Sequence, residues 1–340
     1  VFRNRLYYSV KPLIPWSVRM AVRRWFALRQ RVQYREVWPI LPGSERPPVG
    51  WPGWPDRKQF ALVLTHDIEG PAGVKKVKLL AELEMRFGFR SSFNFTPQGD
   101  YAVPAELRDW LVSRGFEVGV HDLKHDGKLY RSHARFKKHA MTINQYLANW
   151  GAVGFRSGFM LRNLDWHHDL NIQYDASTFD TDPFEPQPDG ANTIFPFWIP
   201  NPNRNNTLFP TADLRPPSSD SPRPGYVELP YTLPQDSTLF FLLKQTDWNI
   251  WRKKLDWLAQ YGGMALLNVH PDYLDFDGSK KQKTYPASYY SDFLKWVQTS
   301  YAGSFLNALP CEVASYYAKL HLSCLRNLPC SGALPDKGGL

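Results

Sequence analysis

Several residues able to handle protons or metal ions stand where apolar runs of this chain end. Asp67 and Glu69 follow Phe60 to Leu64, His121 and His125 follow Phe116 to Val120, Arg156 closes Ala152 to Phe155, and His270 follows Met264 to Val269. Asp67 and Glu69 are two apart, so in extended backbone they point to one side, about 7 Å apart at Cα. His121 and His125 are four apart, a spacing that on a helical turn puts both imidazoles on one face, able to grip one ion. Two imidazoles and one carboxylate make a facial ligand set with positions left for water and substrate, and a second carboxylate beside them is a general base. Taken singly, Asp67 reads as a turn or helix-capping acid and the histidines as solvated loop groups. Their joint placement after apolar runs is what points to a metal site.

These residues need a scaffold, and the hydrophobic periodicity supplies one. Strands are expected at Phe60 to Leu64, Ser91 to Phe95, Phe116 to Val120, Ala152 to Phe155, Tyr226 to Leu229, Met264 to Val269 and Ser304 to Ala308. Helices are expected at Pro71 to Phe87, Pro104 to Arg114, Arg135 to Asn149, Trp248 to Tyr261, Ala287 to Thr299 and Cys311 to Leu320. Such alternation means an α/β protein with a parallel sheet, open or closed into a barrel, and in that class the C-terminal strand ends form the active face. Between the fourth and fifth strands, Asp182 to Gly225 carries eleven of the 29 prolines and the aromatic group Phe195, Phe197 and Trp198. This interruption reads as a lid or subsite wall with a short hairpin near Ile194 to Trp198.

Composition narrows the function classes. Of the 340 residues 43% are apolar and 15% aromatic, enough for a sizeable core and against a disordered chain. Three cysteines crowded toward the C-terminus support neither a disulfide framework nor a thiolate metal site. The net charge of +9 is local: residues 1–60 hold twelve Lys/Arg and three Asp/Glu, leaving 29 against 29 in the remainder. A neutral body argues against a nucleic-acid partner. The basic segment reads as an amphipathic helix, with Ile14, Val18, Ala21, Val22, Trp25 and Phe26 at helical spacing and arginines between them. Its ordinary fate is to pack that apolar stripe on the main domain with the arginines solvated, and the alternative is peripheral contact of residues 11–35 with an anionic membrane surface. No cleavable signal is visible, which sets the expectation of a cytoplasmic protein or one at the cytoplasmic membrane face.

The segments Leu64-Thr65-His66-Asp67-Ile68-Glu69, Val120-His121-Asp122-Leu123-Lys124-His125-Asp126-Gly127 and Gly154-Phe155-Arg156-Ser157-Gly158-Phe159 resemble three ordered motifs of the polysaccharide deacetylases, the NodB-homology or carbohydrate esterase family 4 group. Tyr174-Asp175-Ala176-Ser177 and Leu267-Asn268-Val269-His270-Pro271 are similar to the fourth and fifth. The resemblance, from about Phe60 to Ala308, implies a distorted (β/α)7 barrel, removal of N-acetyl or O-acetyl groups from a glycan or polysaccharide, and one divalent ion, zinc or alternatively cobalt, manganese or nickel. It further implies Asp67 as catalytic base, His121 and His125 as metal ligands, Arg156 as the group orienting the base, Asp175 as the acid holding that arginine, and His270 as general acid. Glu69 stands where the family has an aspartate ligand. Two departures are Gly158 where proline normally precedes the aromatic, and an acetyl-pocket aromatic for which Phe179 and Phe184 are the candidates. The backbone amide near Phe159 is the expected oxyanion donor.

The implied organisation is a basic helical extension with a Pro/Gly/Trp linker (1–57), a barrel (58–324) holding the Pro-rich insertion (182–225), and a loose tail (325–340). Rival readings are a glycoside hydrolase using Asp67 and Glu69, a small-amide hydrolase on the same barrel, and a non-catalytic carbohydrate-binding protein. His66, His133, His139, His167 and His168 read as structural or solvated, and Trp248, Trp251 and Trp257 as packing.

Overall fold

A computed structural model describes residues 16–202, 224–279 and 283–327. Nine strands of the curled sheet are β1 (Phe60–Ile68), β2 (Ser92–Phe95), β3 (Glu117–His121), β4 (Gly154–Arg156), β5 (Tyr174–Asp175), β6 (Phe197–Pro200), β7 (Gly225–Glu228), β8 (Met264–Asn268) and β9 (Phe305–Asn307). Helices are α1 (Trp16–Gln33), α2 (Val77–Arg86), α3 (Ala105–Val112), α4 (His133–Trp150), α5 (Asn249–Tyr261), α6 (Ser288–Ser300) and α7 (Pro310–Asn327). Strands β1 to β5 and β7 run parallel in that order, β8 pairs parallel with the other edge of β1, β9 pairs with its first residues, and β6 adds antiparallel to β7. After β7 the chain bonds across to β8 through Thr232 N to Leu266 O at 3.1 Å, which draws the curl toward closure. This is the expected α/β architecture, a distorted barrel with helices outside.

Strand alternation divides the core into two layers. Ala61 and Val63 point inward with Met264, Leu266, Val227 and Tyr174, while Phe60, Leu62 and Leu64 face the outer helices through α2, α5 and α6. Continuing the inward series gives Thr65 and Asp67, so the barrel interior turns from apolar to polar at the C-terminal strand ends. His66 lies on the outward series and is buried, with Nδ1 on Val269 O at 2.9 Å and Nε2 on Glu84 at 2.8 Å. It is a structural histidine, as its sequence context suggests.

Several local expectations change. The helix expected over Pro71 to Phe87 is a turn at Pro71–Val74 followed by α2, because the Asp272 carboxylate accepts from Gly73 N (2.9 Å) and holds that turn separately. Of the aromatic group in the Pro-rich interruption, Phe197 and Trp198 lie in β6, which pairs antiparallel with β7, while Phe195 is buried in the core; the part of the insertion at 203–223 lies outside the described residues. α7 runs on to Asn327, into the start of the expected loose tail, and 328–340 lie outside the described residues. The Trp-containing connector packs into the body: Trp54 is buried, and its indole donates to Gly262 O at 2.8 Å.

The largest change concerns α1. Its apolar stripe faces outward, with Val18, Val22, Trp25 and Phe26 about half exposed, while Ala27 is buried against the domain. Arg24 turns inward and donates through Nη2 to Phe241 O (2.8 Å) and through Nε to Leu242 O (3.3 Å). Those carbonyls end the short wide helical turn Ser237–Leu242, where unpaired backbone oxygens attract a cation. Arginine capping therefore decides which face is seated.

Candidate active site

Strand register assembles the site. Asp67 pairs with Asn94, Asn94 with Gly119, His121 with Arg156, and Thr65 with Asn268, so these residues share the inner face. The buried Asp67 carboxylate accepts from Asn94 Nδ2 (2.9 Å) and Asn268 Nδ2 (2.8 Å), and Arg156 Nε lies 3.5 Å away. Burial would raise its pKa, but Arg156, His121 and His270 outweigh that and hold it below the ordinary range. Asp67 is therefore an anion with both oxygens oriented.

His121 ends β3, and its Nδ1 faces Arg156 O at 3.2 Å. Donation there leaves the lone pair on Nε2, a buried atom with no hydrogen-bond partner among the described residues. Burial and His125 keep this imidazole below its usual pKa against the pull of Asp67 and Glu69, so it is neutral, as a ligand must be. His125 arrives by a different route from the one its spacing suggests. Residues 122–128 form a loop, with positive φ at Asp122 (55°) and His125 (51°), so no helical turn carries the pair. The loop is bent by Asp122, whose amide donates to Arg156 O (2.8 Å) and whose carboxylate accepts from Leu123 N (2.6 Å). The rings still meet, with centroids 4.9 Å apart.

Glu69 completes the set. Its Oε1 is 3.2 Å from His125 Nε2, and Oε2 accepts from the Tyr273 hydroxyl at 2.6 Å. Its backbone amide donates to Asp272 Oδ2 at 2.9 Å, which fixes the chain just past β1. Burial opposes its charge, yet His125, His270 and Tyr273 hold it well below the ordinary carboxylate range. Donor atoms of Glu69, His121 and His125 lie within 4.8 Å of one another. An orphaned imidazole nitrogen and an anionic oxygen at this separation fit a divalent cation of the zinc kind.

His270 follows β8 and is anchored by a residue the sequence did not single out. Asp236 accepts from His270 Nδ1 (2.6 Å), from its backbone amide (2.9 Å) and from the Tyr285 hydroxyl (2.9 Å). Burial alone would lower the imidazole pKa; Asp236, Glu69 and Asp67 push it up to about 10. The Asn268 amide donates to Asp67 and to Gln235 Oε1 (3.1 Å) and passes 3.5 Å from His270 Nε2, so the carboxylate and the imidazole flank one side chain. Asn94 and Asn268 could have been noticed as polar residues on the inward series of apolar strands. Nothing local ties Asp236 to His270.

Asp175 is not where the resemblance puts it. It pairs in register with Phe155, whose side chain faces away from that of Arg156, so strand alternation sends Asp175 to the outer layer. There it binds His167 Nδ1 (3.1 Å) and the Ser177 hydroxyl (2.6 Å), and His167 also meets the Tyr130 hydroxyl at 2.6 Å. The inward Arg156 donates to Thr65 Oγ1 (3.1 Å) instead. Ser177 Oγ accepts from Ser157 N at 2.9 Å, so Asp175 supports the turn after β4 from behind. Phe179 and Phe184 are core residues, against Tyr231 and Trp38 respectively, and do not wall the site. The aromatics at the rim are Phe159, stacked on His125 at 4.2 Å, and Tyr273, 5.2 Å from His270.

Gly158 has a spatial reason. A Cβ there would lie 2.4 Å from Asp122 Oδ2 and 2.9 Å from His125 Cδ2, so neither alanine nor proline fits the present loop. Gly158→Ala is expected to displace the His125 ring and weaken divalent metal binding by at least about 10-fold, the scale of lost ligand support, measured by competitive chelator titration.

No protein-family model and no curated protein matches the chain. A solved structure from Mycobacterium smegmatis, assigned as a polysaccharide deacetylase, superimposes with a TM-score of 0.53 over 83% of this chain and 96% of its own, at 15% identity. The fold is that of the polysaccharide deacetylases. Weaker superpositions are with the peptidoglycan deacetylase PdaC of Bacillus subtilis (TM-score 0.43, 12% identity, 80% of this chain and 98% of that one) and a Bordetella bronchiseptica protein assigned as a polysaccharide deacetylase involved in O-antigen biosynthesis (0.42, 16%, 80% and 93%). Within the deacetylase fold of this chain, the polar rim just described occupies the C-terminal strand ends.

Proposed function

We propose that this protein is a metal-dependent hydrolase that removes N-acetyl, or O-acetyl, groups from a polysaccharide or other glycan. The observation that carries the reading is the Asp67 carboxylate, oriented by Asn94 and Asn268, and the Asp236-anchored His270, both standing beside the Glu69, His121 and His125 donor set. A divalent ion bound by those three residues supplies Lewis acidity toward the acyl carbonyl and the attacking water. Asp67, kept charged by Arg156 and oriented by two amides, takes the water proton. The turn at Gly158–Met160 brings the Phe159 backbone to the rim, where its amide meets the developing oxyanion. His270, kept cationic by Asp236, gives its proton to the leaving amine or alcohol.

The two carboxylates also discriminate against the glycosidase reading. A glycosidase needs one of its pair protonated near neutrality, whereas Asp67 and Glu69 are both held as anions. The test is metal analysis of the purified full chain, paired with acetate release from N-acetylhexosamine oligomers with and without chelator. One bound divalent ion and chelator-sensitive release are expected. Bound metal without release from any acetylated glycan in a panel would support the non-catalytic binding reading.

The acid assignment carries its own pH signature. His270 must be protonated to act, so activity falls as pH rises through its pKa, and the raised value extends activity to about pH 10. Asp236→Asn removes the largest charge raising that pKa. The alkaline limb of kcat/KM is expected to move down by about 1–3 units, the usual effect of one close opposite charge. An unmoved limb in a pH–rate profile would remove His270 from the acid role.

A further inference from the structure

Among the described surfaces, α1 is inverted relative to an ordinary surface helix. Its seated stripe is narrow and mostly polar: Arg24 on the carbonyls of Phe241 and Leu242, Ala27 buried, and Gln30 donating to Pro183 O at 3.0 Å. Its outward stripe is apolar and aromatic, with Val18 50%, Val22 52%, Trp25 49%, Phe26 53% and Val32 70% exposed. These positions fall on one side of a helix by spacing. Water gains nothing from such a face, and contiguous exposed apolar surface marks a site of contact.

We infer that this face of α1 docks on the interface of an anionic lipid bilayer, and that the glycan acted on is one carried at the same bilayer by a lipid anchor. Charge selects that occupant. α1 (Trp16–Gln33) holds five arginines and no acid, Arg35 just past it pairs with Glu36 at 2.9 Å, and the chain beyond residue 60 is neutral. A second copy of the chain docked here would bring one acid-free cationic helix against another, whereas anionic headgroups neutralise its charge. Arg29 lies with its guanidinium 3.7 Å over the Trp25 ring, leaving a cation beside an aromatic of the kind that sits at headgroup depth. No helix among the described residues is long and apolar enough to cross a membrane, so the contact is peripheral.

The same seating connects α1 to the active site. Phe241 and Leu242, which anchor Arg24, belong to the turn that Asp236 caps, and Asp236 holds His270. Gln30 grips Pro183, beside the buried Asp182 and Phe184. A helix docked on the bilayer would thus be joined by two short contacts to the element that holds His270, which is the basis for placing the substrate on a lipid anchor at the same surface. The docking surface stands on geometry and charge alone; the substrate class rests on the deacetylation reading.

Flotation of the full chain with vesicles tests the surface. Strong binding to vesicles of phosphatidylcholine with phosphatidylglycerol is expected, with weak binding to phosphatidylcholine alone. A Trp25→Ser, Phe26→Ser double variant, checked for native circular dichroism, should lose at least about 10-fold in partitioning. Equal binding by wild type and variant, no binding to anionic vesicles, or a dimer in light scattering that the double variant dissolves would overturn the inference. Acetate release then tests the substrate class: the variant should lose turnover of a vesicle-embedded acetylated glycolipid while matching wild type on soluble oligomers. Equal turnover of both by wild type and variant would overturn it. Absence of turnover on either substrate would instead overturn the deacetylation reading, with vesicle binding still deciding the docking surface.

Discussion

Asp67→Asn is expected to lower acetate release by about 10²–10⁴-fold, the usual worth of a positioned proton acceptor, while the protein keeps its divalent ion. The amide has nearly the shape of the carboxylate but cannot take a proton. Retention of metal follows from geometry, because Asp67 lies outside the Glu69, His121 and His125 set. The substitution also has a structural cost. Asp67 accepts from two asparagine amides and faces the buried Arg156, so an amide in its place leaves that guanidinium without its counter-charge. Breaking such a buried pair costs about 3–5 kcal/mol, so a lowered melting temperature should accompany the lost activity. Rates are therefore compared per folded molecule, at a temperature below the melt of the variant. Substantial turnover under those conditions would move the base role elsewhere.

His121→Ala should produce a loss of comparable size by a different route. The imidazole is fixed by its Nδ1 on Arg156 O and turns Nε2 into the site, so its removal deletes an oriented donor. Weakening the support of a ligand typically costs 10–100-fold in metal affinity, and removing the ligand is expected to cost more than about 100-fold. Metal content after dialysis and activity against added zinc read this out. The two variants are distinguishable: high zinc should partly restore His121→Ala, whereas it should leave Asp67→Asn inactive. Zinc affinity unchanged in His121→Ala would dismantle the ligand set.

The fold was legible because its information is local. Runs such as Phe60 to Leu64 and Met264 to Val269 are short, apolar and followed by polar residues, which marks buried parallel strands with functional ends. The same feature located Asp67, Glu69, His121, His125, Arg156 and His270 on one rim. The error at Asp175 arose because a two-residue strand carries too little pattern to tell which face its side chain takes; pairing with Phe155 decided it. The helical reading of His121 to His125 failed because a spacing of four is compatible with a tight loop as well as a turn of helix, and Asp122 supplies the bend.

By itself the sequence determined the alternation of strand and helix, the chemistry collected at the strand ends and the concentration of positive charge before residue 60. Those are properties of neighbouring residues and of composition. Only the tertiary structure decided that Asp236 holds His270 from 34 positions away, that Asp175 lies behind the sheet rather than on Arg156, and that α1 turns its arginine inward and its tryptophan outward. Periodicity shows that a helix has two faces and a strand two sides. Which of them meets the rest of the chain depends on register and on distant carbonyls, and these exist only once the chain has folded.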